Sequence, residues 1–96
     1  MKRAREKATT VMLDASLTDV AAVRDRLVSA LDLPDWTGRN LDALWDVLST
    51  DAKGPIRIVW KDHRRAATVL GPDYRRLVTL FHDLAAARRD VTFKLA

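Results

Sequence analysis

Residues 54–60, Gly54-Pro55-Ile56-Arg57-Ile58-Val59-Trp60, decide the fold. Gly-Pro punctuates the chain, and the five residues after it are rich in β-branched and aromatic types, which predicts a strand over Ile56–Trp60. On its N-terminal side, Asp51-Ala52-Lys53 completes the turn. Before that turn Leu41, Leu44 and Leu48 recur at helical spacing behind Asn40, a good N-cap, so a helix runs from Asn40 to about Thr50. The stretch from Leu33 to Arg39, with Pro34, Trp36 and Gly38, reads as an ordered loop. Further back, Val20, Val23, Leu27, Val28 and Leu31 predict another helix, capped by Thr18 and ended by Pro34. Asp14 to Leu17 is its leading turn, Val11-Met12-Leu13 a buried strand, and Met1 to Ala8 a solvated basic tail. On the C-terminal side, Asp62 is placed to cap a short helix ending near Leu70, and Gly71-Pro72 breaks the chain and starts a fourth helix with the stripe Leu77, Leu80, Phe81 and Leu84. Val91, Phe93 and Leu95 alternate with Thr92 and Lys94, giving a closing strand wet on one face.

The order is β-α-α-β-α-α-β. Each pair of strands is separated by more than the dozen or so residues that a parallel crossover needs, so the expected fold class is α/β, a three-stranded parallel sheet packed with four helices. A length of 96 residues, 48% of them hydrophobic, fits one compact domain over residues 1–96. The chain has no cysteine, which excludes a disulfide framework, a thiol nucleophile and a thiolate metal site. Its apolar runs fall far short of the roughly 20 residues of a membrane helix, and no apolar core follows the basic start. A cytoplasmic protein, monomeric when free, is the expectation.

The net charge of +4 raises the prospect of an anionic partner, but the charge is unevenly placed. Residues 32–52 hold Asp32, Asp35, Asp42, Asp46 and Asp51 against Arg39 alone, a local charge of −4 that leaves +8 on the rest. On a wheel of about 100° per residue, Leu41, Leu44 and Leu48 form a core stripe of the second helix. Asp42 and Asp46 stand together on another face, with Trp45 on the boundary. Neither aspartate has a basic residue three or four positions later, so the pair repels itself by a few tenths of a kcal/mol. Two readings follow from the pattern alone: a solvated face beside a core tryptophan, or a rigid helix presenting carboxylates and an aromatic anchor to a cationic pocket.

The run Leu33-Pro34-Asp35-Trp36-Thr37-Gly38-Arg39-Asn40-Leu41-Asp42-Ala43-Leu44-Trp45-Asp46 resembles the signature of the barstar family of intracellular ribonuclease inhibitors. The likeness extends through Pro55–Trp60 and Phe81–Thr92, whereas the first 32 residues match only in type. The resemblance implies an inhibitor that lays its second helix and the preceding loop over a guanyl-specific ribonuclease of the extracellular type, with acidic groups where RNA phosphate would sit. It implies Asp46 as the carboxylate entering the catalytic pocket, Asp42 as its neighbour and Trp45 as the contacting tryptophan. Trp36 would cover the site, Gly38 and Asn40 would supply loop contacts, and Asp83 would be the acidic residue of the last helix. Three positions depart from the pattern: Thr37 replaces an aromatic common there, Arg39 sits where an acidic or neutral residue would suit a cationic partner, and Asp51 stands where the family can offer another tryptophan.

Enzymatic function has little support. His63 and His82 lie on different predicted helices, the three glycines are scattered, and no catalytic residue, metal or cofactor is expected. Direct nucleic-acid binding is the principal alternative, motivated by Arg64-Arg65, Arg75-Arg76 and Arg88-Arg89. Against it, Trp36 and Trp45 sit in the acidic window, where phosphate is repelled. A barstar-like module with a partner other than a ribonuclease is the third reading, kept open by Thr37 and Asp51.

Overall fold

The computed structural model describes residues 8–38 and 40–96. Its elements are β1 (Thr9–Leu13), α1 (Val20–Leu31), α2 (Leu41–Asp46) continued by a π-helical turn (Val47–Asp51), β2 (Ile56–Trp60), α3 (His63–Leu70), α4 (Pro72–Ala87) and β3 (Val91–Leu95). The three strands lie side by side in chain order and both pairings are parallel, so the fold is the expected α/β sheet with four helices. The basic tail expected over residues 1–8 lies, apart from Ala8, outside the described residues, as does Arg39.

The register aligns Val11 with Ile58 and Phe93, and Leu13 with Trp60 and Leu95. Side chains alternate across a strand, so these rows share one face, and there Val11, Leu13, Ile58 and Trp60 are fully buried. The rows between them, Thr10-Arg57-Thr92 and Met12-Val59-Lys94, are exposed except for half-buried Val59. Met12 is therefore not part of a buried run as its sequence suggested; the period of two turns it outward. Parallel sheets usually bury both faces. This one leaves a face wet, and the sequence supplies Arg57, Thr92 and Lys94 there. On the covered face Trp60 meets Tyr74 at 5.2 Å and Phe81 at 6.1 Å between ring centroids, while Phe81 meets Phe93 at 5.3 Å. The α4 stripe of Leu77, Leu80, Phe81 and Leu84 is buried against this cluster as its spacing predicts.

Several helix ends differ from expectation for local reasons. Asp19, not Thr18, caps α1: its backbone is extended and its carboxylate accepts the Ala22 N–H at 2.7 Å. The helix stops at Leu31, before Pro34 is reached, because Asp32 turns left-handed at φ 54° and the Leu33 N–H closes on the Val28 carbonyl at 3.0 Å. Asp62 holds the cap position of α3 at φ 54°, but its side chain makes no capping hydrogen bond. Gly71, at φ 61° and ψ −135°, adopts a conformation that side chains disfavour and lets α3 turn straight into α4. The second helix does not stay regular to Thr50. The Ala52 N–H reaches back five residues to the Val47 carbonyl at 2.9 Å, and Thr50 Oγ1 donates to the Asp46 carbonyl at 2.5 Å. A hydroxyl that takes a backbone acceptor competes with the α ladder, which here widens into a π turn.

Candidate functional site

The loop before α2 is fixed from beneath by Arg24. This side chain lies in the apolar stripe of α1 and its residue is only 8% exposed. Nε donates to the Thr37 carbonyl at 2.8 Å, Nη2 to the Asp35 carbonyl at 2.6 Å and Nη1 to the Asp25 carboxylate at 2.8 Å. With the carbonyls on either side of it held, Trp36 projects outward and is 71% exposed. Thr37 is 2% exposed, its hydroxyl buried without a partner, so the threonine at this aromatic position faces the interior and adds nothing to the outer surface.

Gly38 brings this loop against α2. A Cβ on Gly38 would lie 2.6 Å from the Ala43 Cβ, closer than two carbons can approach. Asn40 then starts the helix, its side-chain oxygen accepting the Ala43 N–H at 2.8 Å. Leu44 is fully buried while Leu41 and Trp45 are half-buried against the core, so the apolar stripe orients α2. Asp42 and Asp46, one turn apart or about 6 Å along the axis, are both exposed on its outer side. Among the described residues neither carboxylate forms an ion pair.

Two hollows flank this helix. One, of about 230 Å³, runs between α2 and α4 and gathers Asp42, Trp45 and Asp83 with Arg76 and Leu80. The other, of about 430 Å³, is lined by Leu33, Pro34 and Trp36 on the loop and by Asp51 and Lys53 on the turn after α2. The seven residues named from the sequence thus do not share one cavity. Asp42, Trp45 and Asp83 meet in the first hollow and Trp36 borders the second. Asp46 stands on the outer side of α2, while Gly38 and Asn40 set the joint between loop and helix.

Arg88 secures the far end of the same segment. Its Nη1 donates to the carbonyls of Leu48 and Ala52 at 2.7 and 2.8 Å, and its Nε and Nη2 grip the Asp90 carboxylate at 3.0 and 2.8 Å. This fork holds the Asp90 carboxyl below the ordinary 3.8 of an aspartate. Sequence reasoning missed Arg24 and Arg88 as parts of the site, and also Arg76 and Lys53. The signal for Arg24 and Arg88 lay in the spacing, since Arg24 falls four residues after Val20 within α1 and Arg88 four after Leu84, just past the end of α4.

Of the two histidines, His63 Nδ1 lies 3.2 Å from the Tyr74 hydroxyl, and His82 packs edge-on against Phe93. Burial pushes the Tyr74 hydroxyl above its ordinary 10.0. Among the described residues no cluster of three His, Cys, Asp or Glu side chains is placed to hold a metal ion, and no helix is long and apolar enough to cross a membrane.

Comparison with known proteins identifies both a family and relatives. The family described as Barstar (barnase inhibitor) matches over residues 8–96. A protein of Bacillus subtilis (strain 168) named "Putative ribonuclease inhibitor YrdF" is 42% identical over 53 residues, a segment that covers 55% of this chain and 58% of that protein.

Proposed function

The chain belongs to the barstar family, and from that premise we propose that it inhibits a ribonuclease by laying α2 and the loop before it over the enzyme's active site. The target is a guanyl-specific enzyme of the extracellular type, held in check inside the cytoplasm by a monomeric inhibitor that itself performs no catalysis. The name of the Bacillus relative supports ribonuclease inhibition in general. The observation that carries it is the pair Asp42 and Asp46, exposed on a helix whose other side is anchored in the core, without an ion pair among the described residues.

A ribonuclease pocket built for phosphate gathers arginine, lysine or protonated histidine, and an empty pocket leaves those charges unmet. Asp46 enters it and takes charge-assisted hydrogen bonds in the place of a phosphate. Asp42 and Asp83 extend the negative surface along the groove between α2 and α4. Trp45 fills apolar area at the centre and Trp36 covers the pocket's mouth, the role in which exposed tryptophan contributes most at an interface. Gly38 and Asn40 contribute loop contacts and hold the angle at which the loop meets the helix. Because Arg24 and Arg88 hold the backbone on both sides of α2 in the free protein, little ordering remains to oppose binding.

The test is inhibition of a purified guanyl-specific ribonuclease by the wild type and by Asp46→Ala. The variant is expected to lose more than about 2 kcal/mol of binding, roughly thirtyfold in Kd, while its unfolding midpoint stays unchanged. Full inhibition by Asp46→Ala defeats the reading. RNA binding by the protein itself, falling steeply with salt, points instead to direct nucleic-acid recognition.

A further inference from the structure

Two cations stand beside the acidic face. Arg76 lines the groove that holds Asp42, Trp45 and Asp83, and Lys53 lines the hollow beside Trp36 and Asp51. Both are exposed. Arg76 pairs at 3.1 Å with Asp73, three residues earlier on α4, and Lys53 forms no ion pair among the described residues. The Arg76–Asp73 pair is open to solvent and contributes at most about 1 kcal/mol to stability, so the fold does not require either cation where it stands. On α4 the spacing of Arg76, Leu80 and Asp83 keeps all three on one side of the helix, which fixes the positive charge within two turns of a negative one. The surface offered to a partner is therefore negative in balance but carries one exposed cation in each hollow, Arg76 beside Asp42 and Asp83 and Lys53 beside Asp32 and Asp51, on a chain with +8 outside residues 32–52.

Resting on the inhibitory reading above, we propose that the partner ribonuclease is net acidic, with carboxylates surrounding its cationic active site, and that Arg76 and Lys53 select it. A ribonuclease with a basic rim would set like charges against both residues, and such juxtaposition is costly. It would also approach a molecule of net +4. An acidic enzyme meets complementary charge at two levels: its pocket faces Asp42 and Asp46, and carboxylates of its rim face Arg76 and Lys53. Long-range attraction acts on association, whereas buried pairs act on dissociation. The two cations thus govern which enzyme is found, and the carboxylates how long it is held.

The experiment uses two purified guanyl-specific ribonucleases, one of net negative and one of net positive charge. Association rates are measured by stopped flow from low to high salt for the wild type, for Arg76→Glu/Lys53→Glu and for Arg76→Gln/Lys53→Gln. The wild type is expected to associate with the acidic enzyme about tenfold faster or more at low salt, with a rate that falls as salt rises. The double reversal removes that advantage and the neutral pair lies between. Faster association with the basic enzyme, or a ratio that neither double variant alters while inhibition persists, overturns the selection by Arg76 and Lys53 and leaves the inhibitory reading standing. Failure to inhibit either enzyme overturns both.

Discussion

Replacing Arg24 with methionine should loosen the Trp36 loop, because this one guanidinium holds the carbonyls on both sides of that tryptophan. Methionine retains the apolar stem within the α1 stripe, so the loss is confined to polar contacts. Hydrogen bonds from a charged donor are worth about 1.5–3 kcal/mol each, which sets a ceiling near 6 kcal/mol for the two carbonyls. Two effects lower it. Asp35 is exposed, so its carbonyl regains water when the loop opens, and removing a buried guanidinium also removes the cost of desolvating it. The contact with Asp25, whose carboxylate is more than half exposed, adds little. The expected net loss is about 2–3 kcal/mol, with Arg24→Lys falling between because an ammonium cannot fork to both carbonyls. Urea unfolding gives the global term. Hydrogen exchange of the Thr37 amide, which donates to the Pro34 carbonyl at 3.0 Å, gives the local one. A urea midpoint equal to the wild type, or a Thr37 amide that exchanges no faster in Arg24→Met, would refute the clamp.

Other consequences of the structure can be read in single experiments. Gly38→Ala drives a methyl into the Ala43 Cβ, so the loop must shift; affinity for the ribonuclease is expected to fall about tenfold or more, with a stability loss of about 1–3 kcal/mol from overpacking, and unchanged affinity argues against that joint. Leu44→Ala empties a fully buried site and should cost about 2–5 kcal/mol in urea unfolding, while the fraction still folded binds through intact carboxylates; a loss below about 1 kcal/mol contradicts the packing of α2. The Arg88 fork lowers the Asp90 pKa, and hydrogen bonds from the Ser16 hydroxyl and amide lower that of Asp14. A carboxyl whose folded pKa lies below its unfolded value stabilises fully above that unfolded value, about 3.8, and the contribution disappears as pH falls through the folded pKa. Asp90→Asn should therefore be less stable than the wild type near pH 7, with the gap shrinking as pH falls below about 3.8 and through the folded pKa; a gap that stays constant with pH excludes this carboxylate as its source.

Much of the fold was legible because burial follows simple periods. Ile56–Trp60 announced a strand between turn residues, and the stripe of α4 lay in the sequence as it lies in the core. The misreadings came where a single residue settles a local competition. Thr18 and Asp19 are both good caps, and only the extended backbone at Asp19 decides between them. Pro34 is a strong stop signal, yet α1 had already ended at Asp32, an aspartate in the left-handed region where asparagine or glycine is the usual sign. The π turn depends on whether Thr50 bonds backward or outward, a choice no periodicity records.

For the candidate site, the acidic residues were legible and their supports were not. Charges on an exposed helical face are visible as soon as the wheel is drawn. An arginine at the spacing of an apolar stripe looks like a lapse in the pattern until its acceptors are known, and those of Arg24 and Arg88 lie 11 to 40 residues away. The choice of acceptor explains how a basic chain can keep an acidic face. Had the two guanidiniums reached Asp42 or Asp46, the clamp would have neutralised the charge that a cationic pocket requires. Instead Arg24 bonds neutral carbonyls and Asp25, and Arg88 bonds neutral carbonyls and Asp90, so the only carboxylates they take are ones outside the proposed contact surface. The segment is held at both ends by positive charge, while among the described residues the carboxylates between pair with no cation, and the mutual repulsion of Asp42 and Asp46 is carried by backbone fixed from below.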